Sequence, residues 1–149
     1  MTTYSDRPAV RARMVEVLAD ALPGVQVSYA YPQAATKNEA VWFGPPDGRM
    51  ETVDFGGPRP GRDDRWTIQA VVACTGFTDE QSADARCQEI LTAVTEALFA
   101  GDRLGTDWKH VALYPGELDG PSGGRGNPHE PVFSVAEFTI EIVVPLRGA

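Results

Sequence analysis

The sequence predicts an α+β fold: a mixed, largely antiparallel sheet with two helices packed on one face and long Gly/Pro-rich loops. Two segments repeat apolar residues with the period of an α-helix and begin with residues that can cap a helix. Several others alternate apolar and polar residues with the period of a β-strand. The elements follow one another as α, β, β, loop, β, α, β, loop, β, and hairpin-like connections favour antiparallel pairing. We expect the 149 residues, 1–149, to form a single domain.

The first helix begins near Ser5 and Asp6, which are both suited to the N-cap position. Pro8 fits its first turn, where a missing N–H costs nothing, and Pro23 and Gly24 end it. One face carries the apolar residues that we expect to be buried: Val10, Met14, Val17, Leu18, Ala21 and Leu22. The opposite face carries Arg11, Arg13, Glu16 and Asp20, so this is predicted to be a surface helix with one buried stripe.

The second helix has the clearest signal in the chain. The run from Thr78 to Gln81 forms a capping box, and its acids complement the helix dipole. Gly101 supplies a residue that can end the helix in a left-handed conformation. The predicted buried stripe is continuous: Ala83, Cys87, Ile90, Leu91, Val94, Ala97 and Leu98.

Strands are predicted at 25–31, 40–43, 66–74, 108–114 and 132–144, with a short further strand at 51–55. The strand at 66–74 is expected to be central, because Val71 and Ala73 make its second half apolar on both faces. The last strand turns Glu137, Thr139 and Glu141 away from the core. Its length, roughly 40 Å at about 3.3 Å per residue, favours a bulge or pairing with the sheet edge of a neighbouring chain.

Two long segments, 44–65 and 115–131, are predicted to be loop excursions. Gly and Pro occupy nine of the 22 positions in the first and nine of the 17 positions in the second. Long loops without periodicity are usually functional, and partner contacts are common on such loops when a rigid scaffold carries them.

The formal charge of −8 excludes several classes of protein. Binding to nucleic acid depends on clustered Lys and Arg, and this chain has no basic run. No segment approaches the roughly 18 apolar residues of a membrane span, and no signal sequence precedes the first helix. We therefore expect a protein made in the cytoplasm, with no membrane attachment and no specific grip on DNA.

The sequence offers no convincing catalytic or metal site. His110 is predicted to face outward from a strand, and His129 lies in a Gly/Pro segment. Cys74 and Cys87 fall on apolar faces and are expected to be buried free thiols. A thiol enzyme that pairs Cys74 with His110 has only composition in its favour. We expect no enzyme, no metal and no cofactor.

Four segments in order resemble the tail terminator (tail completion) proteins of siphophages that infect actinobacteria. They are the first helix, the strand RWTIQAVV at 65–72, the capped helix from Thr78, and the closing strand FTIEIVV at 138–144. The resemblance covers nearly the whole chain. It implies a virion protein, assembled in the host cytoplasm, that forms a homo-hexameric ring at the head-proximal end of the tail tube. Such a ring stops tube growth and binds a head-completion protein, and the family has no catalytic residues.

This resemblance suggests roles for the two excursions and the last strand. Contacts with other subunits or with the tube are expected at Arg49, Phe55, Arg59, Arg62, Arg125 and Phe133. Glu137 and Glu141 are candidates for an acidic channel lining past which DNA moves without specific binding. Alternative functions are a head–tail connector or adaptor protein of the same virion, a small soluble ligand-binding domain, or a small enzyme.

Overall fold

The computed structural model describes residues 6–32, 37–48, 50–52, 62–100, 104–125 and 127–146. Its elements are α1 (Arg7–Ala21), β1 (Gln26–Ser28), β2 (Glu39–Phe43), β3 (Met50–Thr52), β4 (Arg62–Phe77), α2 (Glu80–Phe99), β5 (Ala112–Gly124) and β6 (Val132–Leu146). They form one six-stranded sheet with both helices on one face. The predicted α+β class with a mixed, largely antiparallel sheet is confirmed.

The strand order is β1-β2-β4-β6-β5, and β3 pairs with the beginning of β4. The β1–β2 pair is parallel, and every other pair in the sheet is antiparallel. The centre of the sheet is the long β4–β6 ladder, which runs from the pair Arg62–Leu146 to the pair Phe77–Val132. A register shift between Thr75 and Phe77 bulges β4 at Gly76. The bulge predicted for the last strand is therefore found in its neighbours β4 and β5 and not in β6 itself.

The core lies between the sheet and the two helices. Helix α2 packs against β4, β5 and β6, and α1 packs against α2 and β1. The alternation predicted for the last strand is confirmed by burial of Ala136, Phe138, Ile140, Ile142 and Val144. The helix stripes are mostly buried as well: Val10, Met14, Leu18 and Leu22 on one helix, and Ala83, Cys87, Ile90, Leu91, Val94 and Leu98 on the other.

The helix boundaries differ slightly from those predicted. The Asp6 side chain accepts a hydrogen bond from the Ala9 amide at 3.1 Å and caps α1. The N-cap of α2 is Asp79, one residue after the predicted box begins, and it accepts from the Ser82 amide at 2.8 Å. Ala21 was predicted to be buried but is exposed at the end of its helix. Ser5 and Gly101 lie outside the described residues.

The largest correction concerns β5. The prediction of a strand at 108–114 followed by a loop at 115–131 was wrong, because Thr106–Trp108 forms a short 3₁₀ helix and the strand runs from Ala112 to Gly124. β6 offers a partner along this whole length, and register shifts after Pro115 and Asp119 absorb the Gly and Pro residues. A sheet edge tolerates Pro because the missing N–H need not face a neighbour.

The first excursion, 44–65, is also partly strand. β3 is Met50–Thr52 rather than 51–55, and β4 begins at Arg62, four residues before the predicted start. β1 is shorter than the predicted 25–31, because the chain leaves the sheet after Ser28.

The expectation that β6 pairs with a neighbouring chain was also wrong. β6 lies between β4 and β5, so the sheet already supplies partners along both of its edges. The terminal strand on this side of the sheet is β5 instead.

Candidate functional site

The sheet has one face covered by the helices and another that the helices leave uncovered, which we call the open face. Strand alternation and the β4–β6 register assign side chains to each face. Trp66, Ile68 and Ala70 of β4 point toward the helices and are buried. The open face of the central ladder is formed by Arg65, Thr67, Gln69, Val71, Ala73 and Thr75 of β4 and by Phe133, Val135, Glu137, Thr139 and Glu141 of β6.

The two acids predicted to line a channel lie together on this open face. The Gln69 amide donates a hydrogen bond to Glu137 Oε2 at 2.9 Å, and the Arg65 guanidinium lies 3.7 Å from Glu141 Oε1. Asp119 of β5 is the cross-strand partner of Glu137, so alternation places its carboxylate on the same face. Arg65 therefore offsets the charge of Glu141, whereas Glu137 and Asp119 present two carboxylates side by side.

The described parts of the connection from β1 to β2, residues 29–32 and 37–38, lie on one side of the open face. The Lys37 amide donates to Gln26 Oε1 at 2.8 Å, and the Tyr31 ring meets the Trp42 ring edge-on with centroids 5.1 Å apart. Ala40 belongs to the open face by register, yet it is only 1% exposed. These described parts of the connection therefore cover the sheet over β1 and β2, and no other described segment crosses the open face of β4, β6 and β5.

Arg11 fixes the start of this connection. Its Nε donates to the Tyr29 carbonyl at 2.8 Å, and its Nη2 donates to the Phe43 carbonyl at 3.2 Å. The guanidinium also lies 3.9 Å from the centroid of the Tyr29 ring. Because β1 and β2 are parallel, their carboxyl ends meet at one edge, where a single planar guanidinium can bind both.

The prediction that Arg11 lies on the exposed face of α1 was wrong: it is 8% exposed. Its spacing to Met14, Leu18 and Leu22, at i+3, i+7 and i+11, was the sequence signal for burial. The prediction placed Arg11 in solvent because its side chain is charged. Hydrogen bonds to carbonyl groups can, however, compensate the free-energy cost of burying a guanidinium.

Two further arginines join the helices to the sheet through bidentate ion pairs. Arg7 Nε and Nη2 lie 2.9 and 2.5 Å from the two oxygens of buried Asp64, which raises the pKa of Arg7. Arg86 Nε and Nη2 lie 2.6 and 2.9 Å from the oxygens of Glu39, and this hydrogen bonding holds the pKa of Glu39 below its usual 4.5. A bidentate pair of this kind fixes the orientation of each helix relative to its strand as well as the distance between them.

The predicted interface residues are distributed unevenly. Arg49, Phe55 and Arg59 lie outside the described residues, and of Arg62 the structure describes the backbone, opposite Leu146. Arg125 donates to the carbonyls of Thr78 at 2.9 Å and Pro128 at 3.3 Å, so it ties the β5–β6 turn to the start of α2. Phe133 lies at the same end of the sheet, opposite Gly124, and is 41% exposed.

The candidate thiol site is not assembled. Cys74 pairs with Ser134 of β6, whereas Ala112, two residues after His110, pairs with Val143. Those positions are nine residues apart on β6, which corresponds to roughly 30 Å. His110 does not face outward from a strand as predicted, but precedes β5 in a turn and stacks on Trp108. Hydrogen bonding to Cys87 and burial both raise the pKa of the Cys74 thiol, which disfavours the reactive thiolate.

Over the described ranges, no three His, Cys, Asp or Glu side chains group as metal ligands would. Neither described helix is long and apolar enough to cross a membrane. The open face offers a broad surface of hydrogen-bonding, acidic and apolar groups.

Comparison with known proteins gives a likeness of fold. No protein-family model matches the chain. No curated protein matches it either. Among solved structures, it is similar to a chain of the "Virion of native gene transfer agent (GTA) particle", with a TM-score of 0.53 and 16% sequence identity over 97% of this chain and 100% of that one. At this identity the likeness establishes that the two chains share a fold over essentially their full lengths.

Proposed function

We propose that this protein is a structural component of a phage-like virion and, more specifically, the tail terminator. In this role, six copies form a ring at the head-proximal end of the tail tube, stop its growth and join it to a head-completion protein. The observation that carries the proposal is the full-length likeness in fold to a chain of a gene transfer agent virion. The order of helices and strands, which resembles the terminator family, supports the finer assignment.

A role in assembly agrees with the chemistry of the described residues. The candidate nucleophile, Cys74, is buried and far from His110, and the arginines that hold the helices and strands together are engaged in internal contacts. We assign no catalytic residue, metal or cofactor. The surface left for function is the open face, together with the ends of the strands and the segment 44–65.

The open face is proposed to line the channel through which DNA passes. Glu137 and Asp119, with Glu141 partly offset by Arg65, give that surface an acidic character that repels a duplex. Reversing Glu137 and Glu141 to Lys is expected to slow DNA ejection without preventing ring formation. The double variant Asp20→Lys/Glu96→Lys, on the exposed sides of α1 and α2, is the matched control because it makes the same total change of charge elsewhere. Unaltered ejection kinetics in the double reversal would contradict the channel role.

The segment 44–65 is proposed to contact the tube or the neck, since its sequence holds four of the candidate interface residues: Arg49, Phe55, Arg59 and Arg62. Deleting 55–60 should leave a folded protein that no longer joins tails to heads. For 115–131 the structure narrows the proposal to the turn after β5, because removing 112–124 would delete a strand of the sheet.

The experiment that separates the candidate functions is electron microscopy of particles assembled without this protein. A terminator predicts overlong tails that are detached from heads. A connector or adaptor predicts tails of normal length that are also detached, and a soluble ligand-binding domain predicts normal particles. The last two outcomes would each refute the terminator role, and the third would refute a structural virion role as well.

A further inference from the structure

Exposed large apolar side chains in the described part of the chain collect at two opposite edges of the sheet. Tyr29 and Tyr31, 40% and 66% exposed, lie beside β1 and β2. Tyr114, Leu118 and Phe133, 52%, 55% and 41% exposed, lie on β5 and the start of β6. We call the first group the aromatic edge and the second, with Glu117 and Asp119, the acidic edge. Strand spacing of about 4.8 Å places the two edges roughly 19 Å apart.

The two edges lie at the same level along the strands. Trp42 pairs with Val71, Val71 pairs with Glu137, and Glu137 pairs with Asp119, so these four residues form one row across the sheet. The Tyr31 ring packs on Trp42 on the open face at one end of the row, and Asp119 lies on the open face at the other end. Leu118 pairs with Phe138, so it points to the helix side of the same edge. A second copy placed beside the first therefore brings these groups together without a shift along the strands.

The charges of the two edges are complementary. The Lys37 side chain, beside the aromatic edge, has no ion pair among the described residues and is exposed. Glu117 and Asp119 of the acidic edge are exposed carboxylates that likewise have no cationic partner in the described ranges. The Asp119–Glu137 pairing places like charges opposite each other, which is unfavourable until a cation approaches.

The aromatic edge is also held in place before any partner arrives. Arg11 binds the Tyr29 carbonyl and lies against its ring, and the Tyr31 ring is fixed against Trp42. Rigid, half-exposed tyrosines are typical anchors of protein interfaces because ordering them costs little entropy. On the acidic edge, Pro115 and Pro121 lack the N–H groups that a continuous strand-to-strand ladder needs, so the contact is made by side chains.

We propose that the aromatic edge of one copy binds the acidic edge of the next copy in a heterologous, head-to-tail contact. This inference rests on the proposed ring and names its subunit interface. A heterologous contact repeated by rotation closes a ring, whereas a contact between identical edges stops at a dimer. Side-by-side sheets related in this way all turn their open faces in the same radial direction, as a channel lining requires.

The test is chemical cross-linking with a short bismaleimide. The double variant Tyr31→Cys/Ser122→Cys places one thiol on the open face at each edge, since exposed Ser122 is the next open-face position after Asp119, and the native Cys74 and Cys87 are buried. In concentrated protein and in purified particles, this variant is expected to give a ladder of covalent oligomers. Each single variant should stay monomeric, as should Glu96→Cys, whose thiol lies on the exposed side of α2. Dimers from either single variant, or no ladder from the double variant in particles that contain it, would overturn the interface.

A charge exchange tests the same contact without introduced thiols. Lys37→Glu and Asp119→Lys should each weaken self-association about tenfold, and the combined variant should recover most of the loss. If the combined variant does not recover self-association, Lys37 and Asp119 do not contact each other and the proposed interface is wrong. The two proposals can fail separately. If the protein forms cross-linked oligomers but is absent from particles, the proposed function is wrong and the interface stands. If the protein is found at the head-proximal end of the tail but gives no cross-linked oligomers, the interface is wrong and the proposed function stands.

Discussion

Replacing Arg11 with Met removes every donor of the guanidinium while keeping a long apolar side chain in the α1 stripe. The change leaves the carbonyls of Tyr29 and Phe43 without the Arg11 bonds at the ends of β1 and β2. Hydrogen bonds to a charged group contribute about 1.5–3 kcal/mol each. The bond to Phe43 is long at 3.2 Å and the bond to Tyr29 is only partly buried, so both belong at the low end of this range. Contact with the Tyr29 ring adds about 0.5–1 kcal/mol.

We therefore expect Arg11→Met to lower the free energy of unfolding by about 3–4 kcal/mol, a large share of the 5–15 kcal/mol typical of a domain. With a urea m-value of about 2 kcal/mol/M, the midpoint of unfolding falls by about 1.5–2 M. Urea titration followed by tryptophan fluorescence measures this shift. Arg11→Lys should lie between the wild type and Arg11→Met, because one ammonium cannot reproduce the planar fork.

The matched control is Lys109→Met, which removes an exposed cation that has no ion pair among the described residues. It should change stability by no more than about 0.5 kcal/mol. If Arg11→Met unfolds at the wild-type urea concentration, the claim that this arginine clamps the two strand ends is wrong. The same variant should also weaken self-association, because Tyr29 would lose the contact that holds it at the aromatic edge.

Two further predictions concern the fold. Gly48→Ala should lower the free energy of unfolding, measured by urea titration, by about 2–3 kcal/mol, because φ is +123° and a Cβ would lie 2.7 Å from the Arg65 carbonyl oxygen. Gly124→Ala is the control and should be nearly neutral, since nothing lies within 4 Å of its Cβ position. Equal effects of the two substitutions would contradict the close approach at Gly48. Glu39 has a depressed pKa in the folded state, so its pairing with Arg86 stabilises the protein above pH 4.5 and is lost as the pH falls below that value. Glu39→Gln should therefore be destabilising at pH 7 and progressively less so in acid, and a difference that stays constant with pH would count against the ion pair.

The elements with strong periodicity could be predicted from the sequence. The stripe from Ala83 to Leu98 and the alternation from Ala136 to Val144 both describe side chains that the core buries. Local pattern was sufficient there because each element buries a single face, and the spacing of its apolar residues records which face that is.

β5 could not be predicted in the same way. Its residues from Pro115 to Gly124 have the composition of a loop, and their strand conformation depends on β6 as a partner. The central position of β6 likewise follows from pairing rather than from its own sequence. Arg11 was missed for a related reason: the two carbonyl groups that make its burial favourable belong to residues 18 and 32 positions away.

The open face was also predicted only in part from the sequence. Alternation placed Glu137 and Glu141 on one face, but the sequence did not show that Gln69 and Arg65 lie beside them or that Asp119 lies opposite Glu137. The aromatic and acidic edges were also not apparent from the sequence, because Tyr31 and Asp119 become related only through a row of three strand pairings.

A cryo-electron microscopy reconstruction of the head–tail joint tests the proposed role most directly. We predict a closed ring of this chain between the last tube ring and the head-completion protein. In it, Tyr31 of each copy should lie against Asp119 of the next, with Glu137 facing the channel. A reconstruction that lacks this chain at the head-proximal end of the tube, or that shows it elsewhere in the particle, would contradict the account.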